Sequence, residues 1–122
     1  MDYWFLMSAA TISLFGAIFH GIVGGKIYMT NINDSNMEAL TKSLSLVSWH
    51  VFTIFLGAGA IALSVAAYIP TLAPMAYPIV AVNLFGSILF IFLGLRGHNM
   101  LIRMPGAYLM AGTALLAGFG LW

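Results

Sequence analysis

Charge is what this sequence lacks most. Charged side chains make up 6% of its 122 residues, four of them basic and three acidic, whereas a soluble domain carries about a quarter. So few charges cannot cover the surface of a water-soluble globule. Four basic side chains also cannot form the positive surface that a nucleic acid requires. The same apolar composition excludes a disordered chain.

Cysteine is absent altogether. Its absence excludes disulfides, iron–sulfur clusters and thiolate metal sites. The long apolar runs contain no carboxylate either, so they offer no nucleophile–base set for hydrolysis. We therefore predict no catalytic residues, and we do not expect an enzyme.

What the chain has instead is apolar length, with 62% hydrophobic residues. A helix needs about 20 apolar residues to cross a hydrocarbon core of about 30 Å. Uncharged runs cover residues 3–25, 43–95 and 104–122. The first and last suit one crossing each. The middle run is long enough for two, and Pro70, Pro74 and Pro78 break it because proline removes backbone donors and restricts the preceding residue.

The sequence therefore predicts an all-α, polytopic membrane four-helix bundle. It forms a single domain over residues 1–122, with spans near 3–29, 41–69, 76–96 and 101–121. The start of the chain lacks the basic segment of a signal peptide, so we expect the first helix to be retained.

The basic residues predict the orientation of these spans. All four lie beside the first and third interhelical loops, as Lys26, Lys42, Arg96 and Arg103. Basic residues collect on the cytoplasmic side of a membrane. Both termini are then expected on the outer, periplasmic side of the inner membrane. Aromatic residues suited to that interface are Tyr3, Trp4, Tyr68, Tyr77 and Trp122.

Small and weakly polar residues recur along one face of each predicted helix. Such faces let helix backbones approach closely in lipid, where apolar contact alone gives no driving force. The predicted packing residues are Ser13, Ala17, Gly21, Gly25, Gly57, Asn83, Ser87, Ala111 and Gly118. These faces can pack against each other, dock onto helices of another protein, or do both.

Two histidines, His20 and His50, lie inside the predicted first and second spans. Each is expected roughly 9–12 Å below the cytoplasmic boundary, from the helical rise. Ionisable groups at such depth are costly and point to function by default. They are candidate ligands for haem b or another tetrapyrrole, such as a chlorophyll-type pigment. Sharing one haem iron requires helices farther apart than close neighbours, and so a diagonal placement, which the short loop between these helices permits but does not favour.

Two other interpretations of the histidines stay open. Imidazoles and the eight methionines would suit copper or zinc, although the methionines are scattered along the chain. Alternatively, neutral histidines hydrogen-bond each other, Asn83, Ser48 or Thr53 and so hold helices together. Trp49 is expected to contribute packing.

Short motifs resemble those of a widespread class of small bacterial four-helix membrane proteins of unknown function. The matching residues are Gly16-Ala17 before His20, Trp49-His50, Gly86-Ser87, Pro105-Gly106 and Ala111-Gly112. The resemblance implies a fold and a membrane location, and no activity.

Three functions follow as expectations. The first is a non-catalytic accessory or assembly subunit of a larger membrane complex, with lipid and other transmembrane subunits, or further copies of itself, as partners. The second is an electron-transfer or antenna module that binds a tetrapyrrole through His20 and His50. The third is a small transporter or channel.

Overall fold

The computed structural model describes all residues, Met1–Trp122, and is entirely helical. Three helices are long and apolar enough to cross a membrane, as the composition predicts: Tyr3–Asn33, Ala39–Tyr68 and Pro70–Leu95. The α-helices are α1 (Tyr3–Ile18), α2 (Gly25–Asn33), α3 (Ala39–Tyr68), α4 (Ala76–Leu95), α5 (Met100–Arg103) and α6 (Pro105–Gly120). With 16 residues, α6 is about 24 Å long.

The first long helix is continuous but not uniform. A π-helical segment, Phe19–Gly24, joins α1 to α2. The Asp2 carboxylate caps the start by accepting hydrogen bonds from the backbone N–H groups of Trp4 and Phe5, at 2.9 and 3.4 Å. The helix ends at Asn33, beyond the predicted boundary at residue 29, and the Lys42 ammonium donates to the Asn33 carbonyl at 2.7 Å.

Proline and glycine set the other boundaries. The segment Pro70–Met75 forms a 3₁₀ helix between α3 and α4. Gly97 follows α4 with a φ of +117°, a conformation that side chains with a Cβ disfavour. Met104 is extended, as expected before a proline, and Pro105 opens α6.

The helices pack in the spatial order α3, α1, α6, α4. The most extensive contacts join α1 to α3, α1 to α6 and α4 to α6, whereas α3 and α4 touch little. The backbone N–H of Asp2 donates to the carbonyl of Gly120 at 2.8 Å, and the hydroxyls of Tyr3 and Tyr68 are hydrogen-bonded at 2.8 Å. Both chain termini therefore lie at one end of the molecule. The loops at residues 34–38 and 96–99 lie at the other, which we call the basic end.

The interior is built mainly from alanine. One core cluster contains two leucines and five alanines, and it draws on all four long helical segments: Leu6, Ala9, Ala10, Leu63, Ala66, Ala76 and Ala117. Large apolar side chains face outward instead, as with Ile54 at 70% exposure and Phe85 at 68%. Small residues inside and bulky residues outside suit helices that pack within lipid.

Candidate functional site at the histidine–tryptophan contact

His20 lies in the π-helical segment, where the helix makes a wider turn. The backbone N–H of Gly25 donates to the carbonyl of His20, five residues earlier. The indole Nε1–H of Trp49, on α3, donates to the same carbonyl at 3.0 Å. The wide turn is therefore stabilised by a hydrogen bond from the neighbouring helix. Single π-helical turns inside α-helices occur frequently at functional sites.

Trp49 is the centre of an aromatic stack that joins the two helices. Its ring lies between His20, with centroids 4.0 Å apart and planes at 10°, and Tyr28, at 4.3 Å and 13°. Phe52 meets the His20 ring edge-on at 5.2 Å. Together, His20, Trp49 and Tyr28 form what we call the aromatic stack, in which both faces of the indole ring are covered.

Thr53 orients the imidazole within this stack. Its Oγ1 lies 2.8 Å from His20 Nδ1 and also donates to the carbonyl of Trp49 at 3.3 Å. The direction of the hydrogen bond between Thr53 Oγ1 and His20 Nδ1 depends on the tautomer of the ring. In the tautomer with the proton on Nδ1, the other ring nitrogen, Nε2, keeps its lone pair. The same pattern orients histidines that ligate metals.

Glycines make room for these contacts on the first helix. A Cβ added at Gly21 would lie 2.8 Å from Thr53 Cγ2, and one at Gly24 would lie 2.9 Å from Trp49 Cζ2. At Gly25 the added atom would be 3.3 Å from Trp49 Nε1. These positions cannot carry a larger side chain unless Trp49 or Thr53 moves.

His50 does not join this network. Its side chain is exposed on α3 and forms no hydrogen bond with the chain, whereas His20 is half-buried. The helices that carry the two histidines are neighbours with extensive contact. The structure therefore lacks the diagonal placement that we expect of two histidines sharing one haem iron.

The predicted packing residues divide into two groups. Ser13, Ala17, Gly25, Asn83 and Ser87 are buried, and Gly21 and Ala111 are half-buried. A Cβ added at Gly57 or Gly118 would meet no atom within 4 Å, so these two glycines border open space.

Sequence analysis missed two members of the aromatic stack. Trp49 was expected only to pack, and Tyr28 was not singled out. One signal was available: three glycines, Gly21, Gly24 and Gly25, lie close together on one helix. Such a row of glycines can receive a large side chain from a neighbouring helix.

The surroundings of the stack show no further ligand set. No group of three or more His, Asp or Glu side chains is arranged to hold a metal ion. Comparison with models of protein families, with curated proteins and with solved structures found no match to this chain. The site must therefore be interpreted from its own geometry.

Replacing Gly24 with alanine should disturb the stack, because the added methyl group would collide with Trp49. We expect a stability loss of about 1–3 kcal/mol, typical of overpacking, together with a changed Trp49 emission spectrum. Fluorescence would be measured in a background where Trp4 and Trp122 are replaced by phenylalanine. Gly57→Ala is the matched control, since its methyl group enters open space. Equal effects of the two substitutions would contradict the assigned role of Gly24.

Proposed function

We propose that this chain is a four-helix inner-membrane protein that serves as an accessory or assembly subunit of a larger membrane complex. Both termini would face the periplasm, and the basic end would face the cytoplasm. Three helices able to cross a membrane support the membrane location. The fourth crossing would be α6, extended toward the basic end by the short helix α5.

The proposal of an accessory role rests chiefly on one face of α3. His50, Ile54, Gly57, Ile61 and Ser64 follow each other at alternating steps of four and three residues. All five are exposed or half-buried. This spacing is the one by which two helices interlock side chains along a common seam. We call these five residues the α3 outer face.

The α3 outer face is shaped to receive another helix. Ile54 and Ile61 protrude, at 70% and 68% exposure. Between them Gly57 leaves an indentation, since an added Cβ would meet no atom within 4 Å. Protruding isoleucines separated by a glycine allow a partner's side chain to enter and its backbone to come close.

The exposed imidazole of His50 supports the same assignment. A polar side chain that faces hydrocarbon without a hydrogen bond is costly, so such residues generally face protein or a water-filled cavity. In the proposed orientation, His50 lies within the membrane on the α3 outer face. A transmembrane helix of a partner subunit, with a hydrogen-bonding side chain at the same depth, would satisfy it.

The rest of the molecule is consistent with a subunit that binds its partner through its helices. The segments between helices are short, at residues 34–38 and 96–99. They provide no soluble domain for an active site. The partner is thus expected to bind within the membrane.

The docking proposal predicts that contacts are confined to the α3 outer face. A photoreactive amino acid at Ile61 should form an adduct with a different membrane protein in intact cells, and one at Phe85, equally exposed on α4, should not.

In mild detergent the wild-type chain should migrate in a complex larger than its 13.1 kDa plus bound detergent. Gly57→Leu should release it, because leucine fills the indentation, whereas Phe85→Leu should not.

Two results would overturn this proposal. One is migration of the wild-type chain as a single folded copy. The other is an adduct at Ile61 that contains only further copies of this chain, which would indicate self-association. Circular dichroism of Gly57→Leu should show an unchanged helical content, so that loss of the complex is not loss of the fold.

The proposed orientation predicts which residues are accessible from each side. The natural chain has no cysteine, so single cysteines can be introduced without interference. A cysteine inserted after Met1 and one placed at Trp122 should react with an impermeant maleimide in cells whose outer membrane is permeable. Cysteines at Asn36 and Asn99 should react only after the inner membrane is opened. The opposite pattern would invert the proposed topology.

One observation favours a second candidate function, a haem- or pigment-binding module. Thr53 holds Nδ1 of His20, which leaves Nε2 available as a ligand. His20 would then act alone, without His50. This candidate predicts a Soret or chlorin band in the purified protein, lost in His20→Ala and retained in His50→Ala. A spectrum with no such band would end it.

A further inference from the structure

A second group of polar residues is buried about two helical turns from the aromatic stack, since Ser13 precedes His20 by seven residues. Ser13 on α1, Asn83 on α4 and Thr113 on α6 are each 1% exposed. Ser13 follows Tyr3 by ten residues, a distance of about 15 Å along a helix and half of a hydrocarbon core of about 30 Å. In the proposed orientation these residues therefore lie near the middle of the membrane.

Contacts around Gly59 bring α1 and α4 together at this level. A Cβ added at Gly59 would lie 3.5 Å from Ser13 Oγ and 3.2 Å from Ile79 Cγ2. Ser13 and Ile79 thus approach the same point on α3. Asn83 is one helical turn after Ile79 and donates its Nδ2–H to the Ile79 carbonyl at 2.8 Å.

Helix α6 reaches the same level from the other side. A Cβ added at Gly112 would lie 3.7 Å from Ile12 Cδ1, which places Thr113 beside the turn of α1 that carries Ser13. Between the antiparallel helices α4 and α6, the Ser87 hydroxyl donates to a carbonyl at the start of α6, that of Ala107, at 2.9 Å. One turn back along α4, Asn83 then lies at about the level of the turn of α6 that includes Ala111 and Thr113.

We call Ser13, Asn83 and Thr113 the polar layer. The hydroxyl hydrogens of this layer are already in use. The Ser13 hydroxyl donates to the Leu56 carbonyl at 2.8 Å, and the Thr113 hydroxyl donates to the Leu109 carbonyl at 2.9 Å. Both oxygens can still accept. Asn83 Oδ1 is buried, and no donor of the chain reaches it. The layer therefore presents these acceptors, and its one remaining donor is the second amide N–H of Asn83.

A buried acceptor without a hydrogen-bond donor costs about 1–3 kcal/mol. The interior of a membrane offers no bulk water that could supply the missing donor. A guest that satisfies Asn83 Oδ1 must bring a donor. A divalent cation such as Ca²⁺ takes about six or more oxygen ligands, with carboxylates among them, and no carboxylate lies near. A single water molecule brings two donors and commonly bridges buried polar groups.

We propose that the polar layer binds one internal water molecule. The water donates one hydrogen to Asn83 Oδ1 and the other to Thr113 Oγ1, and so bridges α4 and α6. This site is separate from the aromatic stack and from the α3 outer face. It does not depend on the accessory role, so the two proposals can fail independently.

The water can be detected by nuclear magnetic resonance in lipid nanodiscs with deuterated lipid. We expect magnetisation transfer from water to the side-chain amide of Asn83, the buried asparagine of the chain. The Asn83 carbonyl stretch, measured by isotope-edited infrared spectroscopy, should have the frequency of a hydrogen-bonded amide. Thr113→Val should abolish the transfer, whereas Ser87→Ala, which removes a buried hydroxyl one turn away, should retain it.

The wild-type spectra decide the matter even if a variant does not fold. No transfer, together with a carbonyl stretch at the frequency of a free amide, would overturn the proposal. A shift of the Asn83 carbonyl resonance when sodium replaces choline as the buffer cation would also overturn it, because a cation would then occupy the layer. Transfer that persists unchanged in folded Thr113→Val would exclude the bridging geometry.

Discussion

The close approach of the first long helix to α3 is the contact on which the rest of this structure depends. Helices in lipid gain little from burying apolar side chains against each other, so they associate where small residues let backbones come near. Here Gly21, Gly24 and Gly25 fill that role. They admit Thr53 and Trp49, and the indole can then reach the carbonyl of His20. The wide π-helical turn and the aromatic stack both follow from this one contact.

The helical class and the ability to cross a membrane were predictable, because a near absence of charge leaves few alternatives. The boundaries of the individual helices were less predictable. Charged residues mark where a chain leaves lipid, but they do not end a helix. The first helix therefore continues past Lys26 to Asn33, where the Lys42 ammonium donates to its last carbonyl at 2.7 Å. The length of α6 differs for another reason, since Pro105 cannot continue a helix and separates it from α5.

The candidate site was predictable only in its histidine. The free-energy cost of an ionisable side chain inside a membrane span singled out His20 from the sequence. Thr53 was among the hydrogen-bond partners that we considered for it. The stack on Trp49 depends on the rotational phase of one helix against another. A π-helical segment changes that phase for every residue after it. Ideal helical spacing puts Tyr28 on the same face as Gly21, seven residues earlier, but it does not predict that the tyrosine ring stacks on the indole.

Three polar groups inside apolar helices illustrate how much their surroundings differ. The imidazole of His20 has Thr53 as a partner and an aromatic ring on one face, so its polarity is accommodated within the chain. Asn83 is enclosed by the chain, yet its carbonyl has no donor there. His50 is neither enclosed nor hydrogen-bonded. Because each unsatisfied group carries a cost in lipid, the guest proposed for Asn83 must be small enough to enter the interior, whereas the partner proposed for His50 must approach from outside. Enclosure thus separates the proposed site for a small internal guest from the proposed surface for another helix.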